Sequence, residues 1–150
     1  MASDDVVCFD FDEFQRWMAQ SEQTLRSAYV DAEHEFYNWS CFKAHQAGEY
    51  SVKGILHGLG LSAIGHSVLV LLNLLSDEGI QIPDSLFADA RALDRHYIPP
   101  RYADAYPSGS PFEFYDEPTA SEALKASERV IEFVRKLKDT VTSDKEGTSG

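Results

Sequence analysis

Five stretches of apolar residues at helical spacing constrain the fold of this chain more than any other feature of its sequence. In each stretch the apolar residues recur every three or four positions, as on the buried face of an amphipathic helix. The alternation typical of strands is nearly absent. The stretches cover approximately residues 11–32, 38–59, 67–77, 84–97 and 119–142. The pattern predicts an all-α fold, an antiparallel up-and-down bundle of four to five helices.

Residues that begin or end helices separate these stretches. Asp10 or Asp12 can cap the first predicted helix, Ser67 the third and Thr119 the fifth. The pair Pro99–Pro100 must break the fourth helix, because proline lacks a donor N–H and restricts the residue before it. The predicted elements are therefore joined by short turns, with one long connection before the last helix.

The length and composition suit a single packed domain. A chain of 150 residues, 43% of them hydrophobic, can bury one real core. We expect an acidic N-terminal tail at residues 1–10, the helical bundle at 11–142 and a disordered polar tail at 143–150.

Several classes of protein are disfavoured by the sequence. No apolar run has the length of a membrane span, and the first residues lack the basic and apolar regions of a signal peptide, so we expect a cytoplasmic protein with no membrane partner. Cys8 and Cys41 are too few and too far apart for a disulfide framework or a zinc knuckle. No histidine has metal-ligand spacing backed by a carboxylate, so we expect no metal site. The formal charge of −12 repels a polyanion, so any nucleic acid must be contacted locally.

Polar and aromatic residues gather directly after the proline pair. Arg101, Tyr102, Asp104 and Tyr106 follow within seven positions of Pro99. A guanidinium can bind a phosphate with two hydrogen bonds, and aromatic faces can stack on a base. The alternative is a structural corner, in which the arginine fixes loop carbonyls and the tyrosines are half buried. From the spacing alone, the structural corner is favoured over the binding site.

The second predicted helix carries polar residues along one face. Gln46, Glu49 and Lys53 follow the spacing that aligns side chains, and Phe42 continues the face toward the N-terminus. If this face points inward, it forms a buried polar network or lines a cleft. If it points outward, Glu49 and Lys53 are an ordinary surface ion pair worth a few tenths of a kcal/mol.

Three segments together resemble the HEPN domain family in their order and spacing. They are Trp39–Leu56, the triplet Gly65-His66-Ser67 that leads into Leu69–Leu72, and the run from Leu93-Asp94 to Pro107. The resemblance covers roughly Phe14 to Val141. It implies a helical bundle that dimerises, that is often encoded beside a small nucleotidyltransferase, and that acts in nucleotide binding or RNA cleavage. It also favours the inward orientation of the Glu49 and Lys53 face.

The ribonucleases of this family carry an arginine followed four to six residues later by a histidine. After Arg101 the corresponding position holds Tyr106, and no histidine follows His96. A phenol is a poor carrier of protons near neutral pH, so this departure disfavours catalysis.

Two functions of different classes remain. The first is a non-catalytic dimeric module of a toxin–antitoxin-like pair. It binds a nucleotide such as ATP or GTP, or a small nucleotidyltransferase partner, and needs no other cofactor. Its ligand-binding residues are Arg101, Tyr102, Asp104, Tyr106, Lys53 and Glu49. The second is a metal-independent ribonuclease acting on RNA, with Arg101 on the phosphate and Tyr106, another tyrosine or a histidine from the second protomer in place of the missing base. We expect that the protein does not cleave RNA at a useful rate.

Overall fold

The computed structural model describes the backbone of residues 8–149 and the side chains of residues 8–143. Every regular element in this range is helical, which confirms the predicted all-α fold. A 3-10 helix at Pro111–Phe114, which the sequence analysis did not predict, lies before the last helix. The five α-helices are α1 (Phe11–Glu33), α2 (Tyr37–Gly58), α3 (Val68–Asp77), α4 (Asp84–Asp94) and α5 (Glu117–Ser149).

Side-chain caps begin three of the helices. Asp10 caps α1 and Ser67 caps α3, each accepting a hydrogen bond from the backbone N–H three residues further on. The start of α5 differs from the prediction, because Asp116 and not Thr119 supplies the capping oxygen. The Asp116 carboxylate accepts from the backbone N–H of Thr119 at 3.0 Å and from its hydroxyl at 2.6 Å. The helix therefore begins three residues earlier than a cap at Thr119 predicts.

Two helix ends also differ from the prediction. α4 ends at Asp94, three residues before the predicted end at Tyr97. Beyond Asp94 the backbone N–H groups of His96 and Tyr97 donate to carbonyls three residues earlier, and not four residues earlier as in an α-helix. α5 continues to Ser149 through most of the segment predicted as a disordered tail, and no proline interrupts it there. Of the predicted acidic tail, residues 1–7 lie outside the described part of the chain, as does residue 150 at the other end.

α2 is the central element of the bundle. It packs most extensively against α1 and α5, and it also contacts α3, α4 and the 3-10 helix. Small residues permit the closest approaches. A Cβ added at Gly54 would lie 3.0 Å from Trp17 on α1, and one added at Gly48 would lie 3.0 Å from Leu93 on α4. The core consists mainly of Leu, Ile, Val and Ala side chains from all five helices. None of the described helices is long and apolar enough to cross a membrane.

Candidate functional site

The carboxylate of Glu49 is the buried centre of a polar cluster on α2. Glu49 is 2% exposed. Its Oε2 forms an ion pair with Nζ of Lys53 at 3.0 Å and accepts a hydrogen bond from Nδ1 of His66 at 3.2 Å. Its Oε1 has no hydrogen-bond partner among the described residues. The face formed by Glu49 and Lys53 therefore points inward, and the alternative of an ordinary surface pair is excluded.

His66 presents an oriented imidazole to the solvent. Because a carboxylate only accepts hydrogen bonds, Nδ1 of His66 must carry the proton that Glu49 receives, which leaves Nε2 at the exposed side of the ring. The His66 side chain is 57% exposed. Its ring stacks on that of Tyr97, with centroids 4.9 Å apart and planes at 16°. The sequence analysis placed His66 only in the triplet that leads into the third helix, so the structure adds a residue to the candidate site.

The turn that carries His66 is fixed by two side chains, the buried His45 and the partly buried Asp94. Nε2 of His45, which is fully buried, donates to the carbonyl of His66 at 2.8 Å. Burial alone raises the pKa of Asp94, but hydrogen bonds to the carboxylate outweigh burial and hold that pKa below its usual value. The four donors to Asp94 are Nε2 of His45 at 3.2 Å, the Ser67 hydroxyl at 2.8 Å and the backbone N–H groups of Val68 at 2.8 Å and Leu69 at 3.1 Å.

Arg101 lies among three aromatic rings. Its guanidinium carbon is 4.6 Å from the ring centroids of Phe42 and Tyr97 and 5.0 Å from that of Tyr102. Its Nε donates to the carbonyl of Tyr97 at 2.8 Å. A hydrogen bond from the arginine to a loop carbonyl is what the structural-corner interpretation predicts. The terminal N–H groups donate to no other described residue, so they remain available to a ligand. The hydrogen bond agrees with the structural corner, and the binding-site interpretation of Arg101 stays a prediction.

Tyr97 connects the two halves of the site. Its ring contacts both the His66 imidazole and the Arg101 guanidinium. A continuous row of side chains therefore runs along one surface of α2, formed by Lys53, Glu49, His66, Tyr97 and Arg101. Tyr97 was not among the predicted site residues. The sequence contains no local signal for its contact with His66, which lies in a different segment of the chain.

The remaining predicted residues divide into two groups. Tyr102 contacts Arg101 and belongs to the site. Tyr106 stacks instead on Phe114 of the 3-10 helix, with centroids 4.0 Å apart. Asp104 is exposed in the turns after α4 and forms no hydrogen bond or ion pair within the described residues. The structure therefore brings neither Asp104 nor Tyr106 into contact with the Arg101 guanidinium.

An open groove of about 460 Å³ adjoins Arg101. Three segments bound it, namely the turn between α1 and α2 with the first turn of α2, the loop after α4, and the 3-10 helix. The groove is lined by Glu35, Phe36, Asn38, Trp39, Pro100, Arg101, Ala103, Pro111 and Phe112. We call it the aromatic groove. Elsewhere among the described residues, no group of three or more His, Cys, Asp or Glu side chains could hold a metal ion.

Comparisons with known proteins agree on one family. The family model of the HEPN domain matches residues 14–137. The crystal structure of TT1696 from Thermus thermophilus superposes with a TM-score of 0.78 at 36% identity, over 83% of this chain and 97% of that one. The structure of ST0689, an archaeal HEPN homologue, gives a TM-score of 0.71 at 31% identity, over 83% and 97% of the two chains.

A further relative comes from the archaeon Methanocaldococcus jannaschii. It is named "Putative toxin MJ1304", and it is 28% identical over 129 residues, which is 79% of this chain and 84% of that protein. The family match covers the segments that carry Glu49, His66 and Arg101. This chain belongs to the HEPN domain family.

Proposed function

We propose that the protein is a toxin-like HEPN module that acts by binding a nucleotide at Arg101, in a toxin–antitoxin-like pair. The similarity to a relative named as a toxin supports the second part of this proposal. The first part rests on the setting of Arg101. A guanidinium held by one backbone carbonyl and three aromatic rings keeps its terminal donors free in a fixed position. That arrangement can receive a phosphate at little cost in side-chain entropy.

A substitution at Arg101 tests the binding function. Arg101→Ala should weaken the binding of ATP or GTP roughly tenfold or more, because it removes a charge-assisted hydrogen bond. Isothermal titration calorimetry measures the affinities. Arg95→Ala is the matched control, since Arg95 is exposed at the end of α4 in the same segment and should leave the affinity unchanged.

Two results would contradict the proposal. The first is that neither ATP nor GTP binds the unmodified protein. The second is that Arg101→Ala unfolds the protein, as judged by circular dichroism, when no ligand bound beforehand. In either case Arg101 serves only as a structural corner.

The proposal includes two protein partners. A second copy of the chain would cover apolar side chains that the bundle leaves exposed, among them Tyr29 and Val30 on α1 and Val70 on α3. A small nucleotidyltransferase is the other partner, as the family resemblance implies, and its docking to this acidic protein would involve the Arg101 surface.

A second candidate function, RNA cleavage, is favoured by His66. Glu49 orients this imidazole through Nδ1, so Nε2 is exposed on the same surface as Arg101, with the single ring of Tyr97 between them. A carboxylate-oriented histidine beside a phosphate-binding arginine could transfer protons in place of the histidine that is absent at Tyr106. Cleavage of single-stranded RNA in EDTA, lost in His66→Gln, would establish this function and overturn the non-catalytic proposal. Intact RNA after prolonged incubation supports binding alone.

A further inference from the structure

The aromatic groove exposes flat apolar surface next to the proposed phosphate site. Trp39 on α2 is 43% exposed and Phe112 on the 3-10 helix is 67% exposed, and both line the groove with Phe36. Aromatic side chains of this size are normally buried in a soluble domain, so a cluster that lines a groove indicates a ligand-binding surface. Stacking of a nucleobase on tryptophan and phenylalanine is a common use of such surfaces.

The walls of the groove are held in place by the fold. Nδ2 of Asn38 donates to the carbonyl of Pro100 at 3.0 Å, which ties the loop after α4 to the first turn of α2. At the start of the 3-10 helix the backbone N–H of Ser110 donates to Oε2 of Glu113 at 2.7 Å, and the backbone N–H of Glu113 donates to the carbonyl of Ser110 at 3.0 Å. Pro100 stiffens the loop after α4, and Pro111 stiffens the start of the 3-10 helix. A ligand would therefore enter a site that needs little ordering.

The charges in the groove are few and of opposite sign. Arg101 is its only cationic lining residue, and Glu35, in the turn between α1 and α2, is its only anionic one. A nucleotide carries a phosphate that suits the guanidinium, and several bases carry an exocyclic amino group that suits a carboxylate acceptor. The groove volume is within the range of small-molecule sites. A single cation in a protein with a net charge of −12 suits one nucleotide better than a nucleic-acid chain.

We propose that the aromatic groove is the base subsite of the nucleotide, where an amino-bearing purine such as adenine stacks on Trp39 and Phe112. Glu35 accepts a hydrogen bond from the exocyclic amine, and Arg101 holds the phosphate. This inference rests on the proposed binding function, since Arg101 supplies the anchor. It adds a preference that the phosphate contact alone does not create, namely for ATP over ITP, whose base lacks that amine.

Calorimetry with three ligands tests this subsite separately from the phosphate site. The probes are ATP, ITP and inorganic tripolyphosphate, which carries no base. We expect ATP to bind about tenfold or more tightly than tripolyphosphate, because stacking on aromatic side chains contributes that much. Trp39→Ala and Phe112→Ala should each reduce the affinity for ATP and leave that for tripolyphosphate unchanged. Glu35→Ala, which removes the acceptor, should lower the ratio of the ATP affinity to the ITP affinity.

Two further variants complete the design. Gln81→Ala, a truncation of an exposed side chain between α3 and α4 outside the groove, is the control and should leave every affinity unchanged. In the Trp17→Phe variant, Trp39 is the sole tryptophan, so ATP should quench its fluorescence whereas tripolyphosphate should not. Phe112 is so exposed that its truncation leaves the fold intact, which keeps the test open even if Trp39→Ala unfolds.

The outcomes separate the two proposals. If ATP and tripolyphosphate bind equally, and both are lost in Arg101→Ala, the base subsite is wrong and the phosphate site stands. If none of the three ligands binds, both proposals fail. If poly(A) binds the groove far more tightly per site than ATP, the occupant is an RNA chain and the assignment of a single nucleotide is overturned.

Discussion

His96 lies in the turn after α4, where the surrounding protein favours its uncharged form. Burial, followed by the nearby charges of His45 and Arg95, lowers the pKa of His96 from 6.5 to about 4. Its Nδ1 lies 3.3 Å from the hydroxyl of Tyr115. A histidine whose pKa is lower in the folded state than in the unfolded state makes stability depend on pH.

The protein should lose stability as the pH falls below about 6.5, because the unfolded chain then binds a proton at His96 that the folded chain binds only near pH 4. Between pH 7.5 and pH 5 this linkage should reduce the free energy of unfolding by about 2 kcal/mol. Urea denaturation at a series of pH values measures the effect. In His96→Gln the same decrease should be smaller by about that amount.

His34→Gln is the matched control for this measurement. His34 is exposed at the end of α1, so its replacement should preserve the pH dependence of the unmodified protein. A decrease in stability that is identical in His96→Gln and the unmodified protein would show that His96 is not the group responsible.

Individual site residues could be predicted only where their partners were close in sequence. The spacing of Glu49 and Lys53 placed them on one face of a helix, and the structure confirms that they pair. The contact of Glu49 with His66 spans seventeen residues, and that of Arg101 with Phe42 spans far more. No local pattern specifies such contacts. The sequence could therefore supply the side chains of the site but not their arrangement.

Helix boundaries, like the site residues, were predicted correctly where the deciding contact is between residues close in sequence. The cap of α3 at Ser67 was predicted correctly because its hydrogen bond closes within three residues. The early end of α4 was missed because the predicted break was the pair Pro99–Pro100, whereas the backbone hydrogen bonds already close over three residues at His96 and Tyr97. The 3-10 helix was missed because four residues that begin with a proline give no periodic signal.

The close approach of α2 to its neighbours at Gly48 should tolerate no larger side chain. A Cβ added there would lie 3.0 Å from Cδ1 of Leu93 and within 4 Å of side-chain atoms of Ser127 and Val130. Gly48→Val adds two more methyl groups, so α4 or α5 must move, and we expect a loss of about 1 to 3 kcal/mol in the free energy of unfolding. Urea denaturation measures it.

The control for this substitution is Gln23→Val, at an exposed position on α1. It introduces the same β-branched side chain into a helix without a packing conflict, and its effect should remain within about 0.5 kcal/mol. Equal losses in the two variants would mean that helix propensity, and not packing between helices, sets the cost.

The molecule as a whole should form a two-fold dimer. Eleven large hydrophobic side chains within the described residues expose more than a third of their surface, and only Phe36, Trp39 and Phe112 among them line the aromatic groove. The others leave apolar surface that a second copy can cover. Light scattering at micromolar concentration should give about twice the mass of 16.8 kDa. A monomer under these conditions would contradict the prediction.

The fold could be predicted from the sequence, whereas the aromatic groove could not. Helical periodicity is written into each segment separately, so five amphipathic stretches were enough to indicate a bundle. The aromatic groove is different, since its walls come from the turn after α1, the loop after α4 and the 3-10 helix. These segments meet only in the folded chain, and only the loop after α4, which carries Arg101 and Tyr102, was predicted from the sequence to bind a ligand.

The central position of α2 has a consequence for how freely this protein can change. A helix that touches every other element can accept few substitutions, because each one must suit several neighbours at once. The first turn of α2 is the exception, since Trp39 faces the open groove there and Glu35 and Phe36 lie just before it. Ligand preference could therefore diversify at this end of α2, while the remainder of the helix keeps the architecture constant.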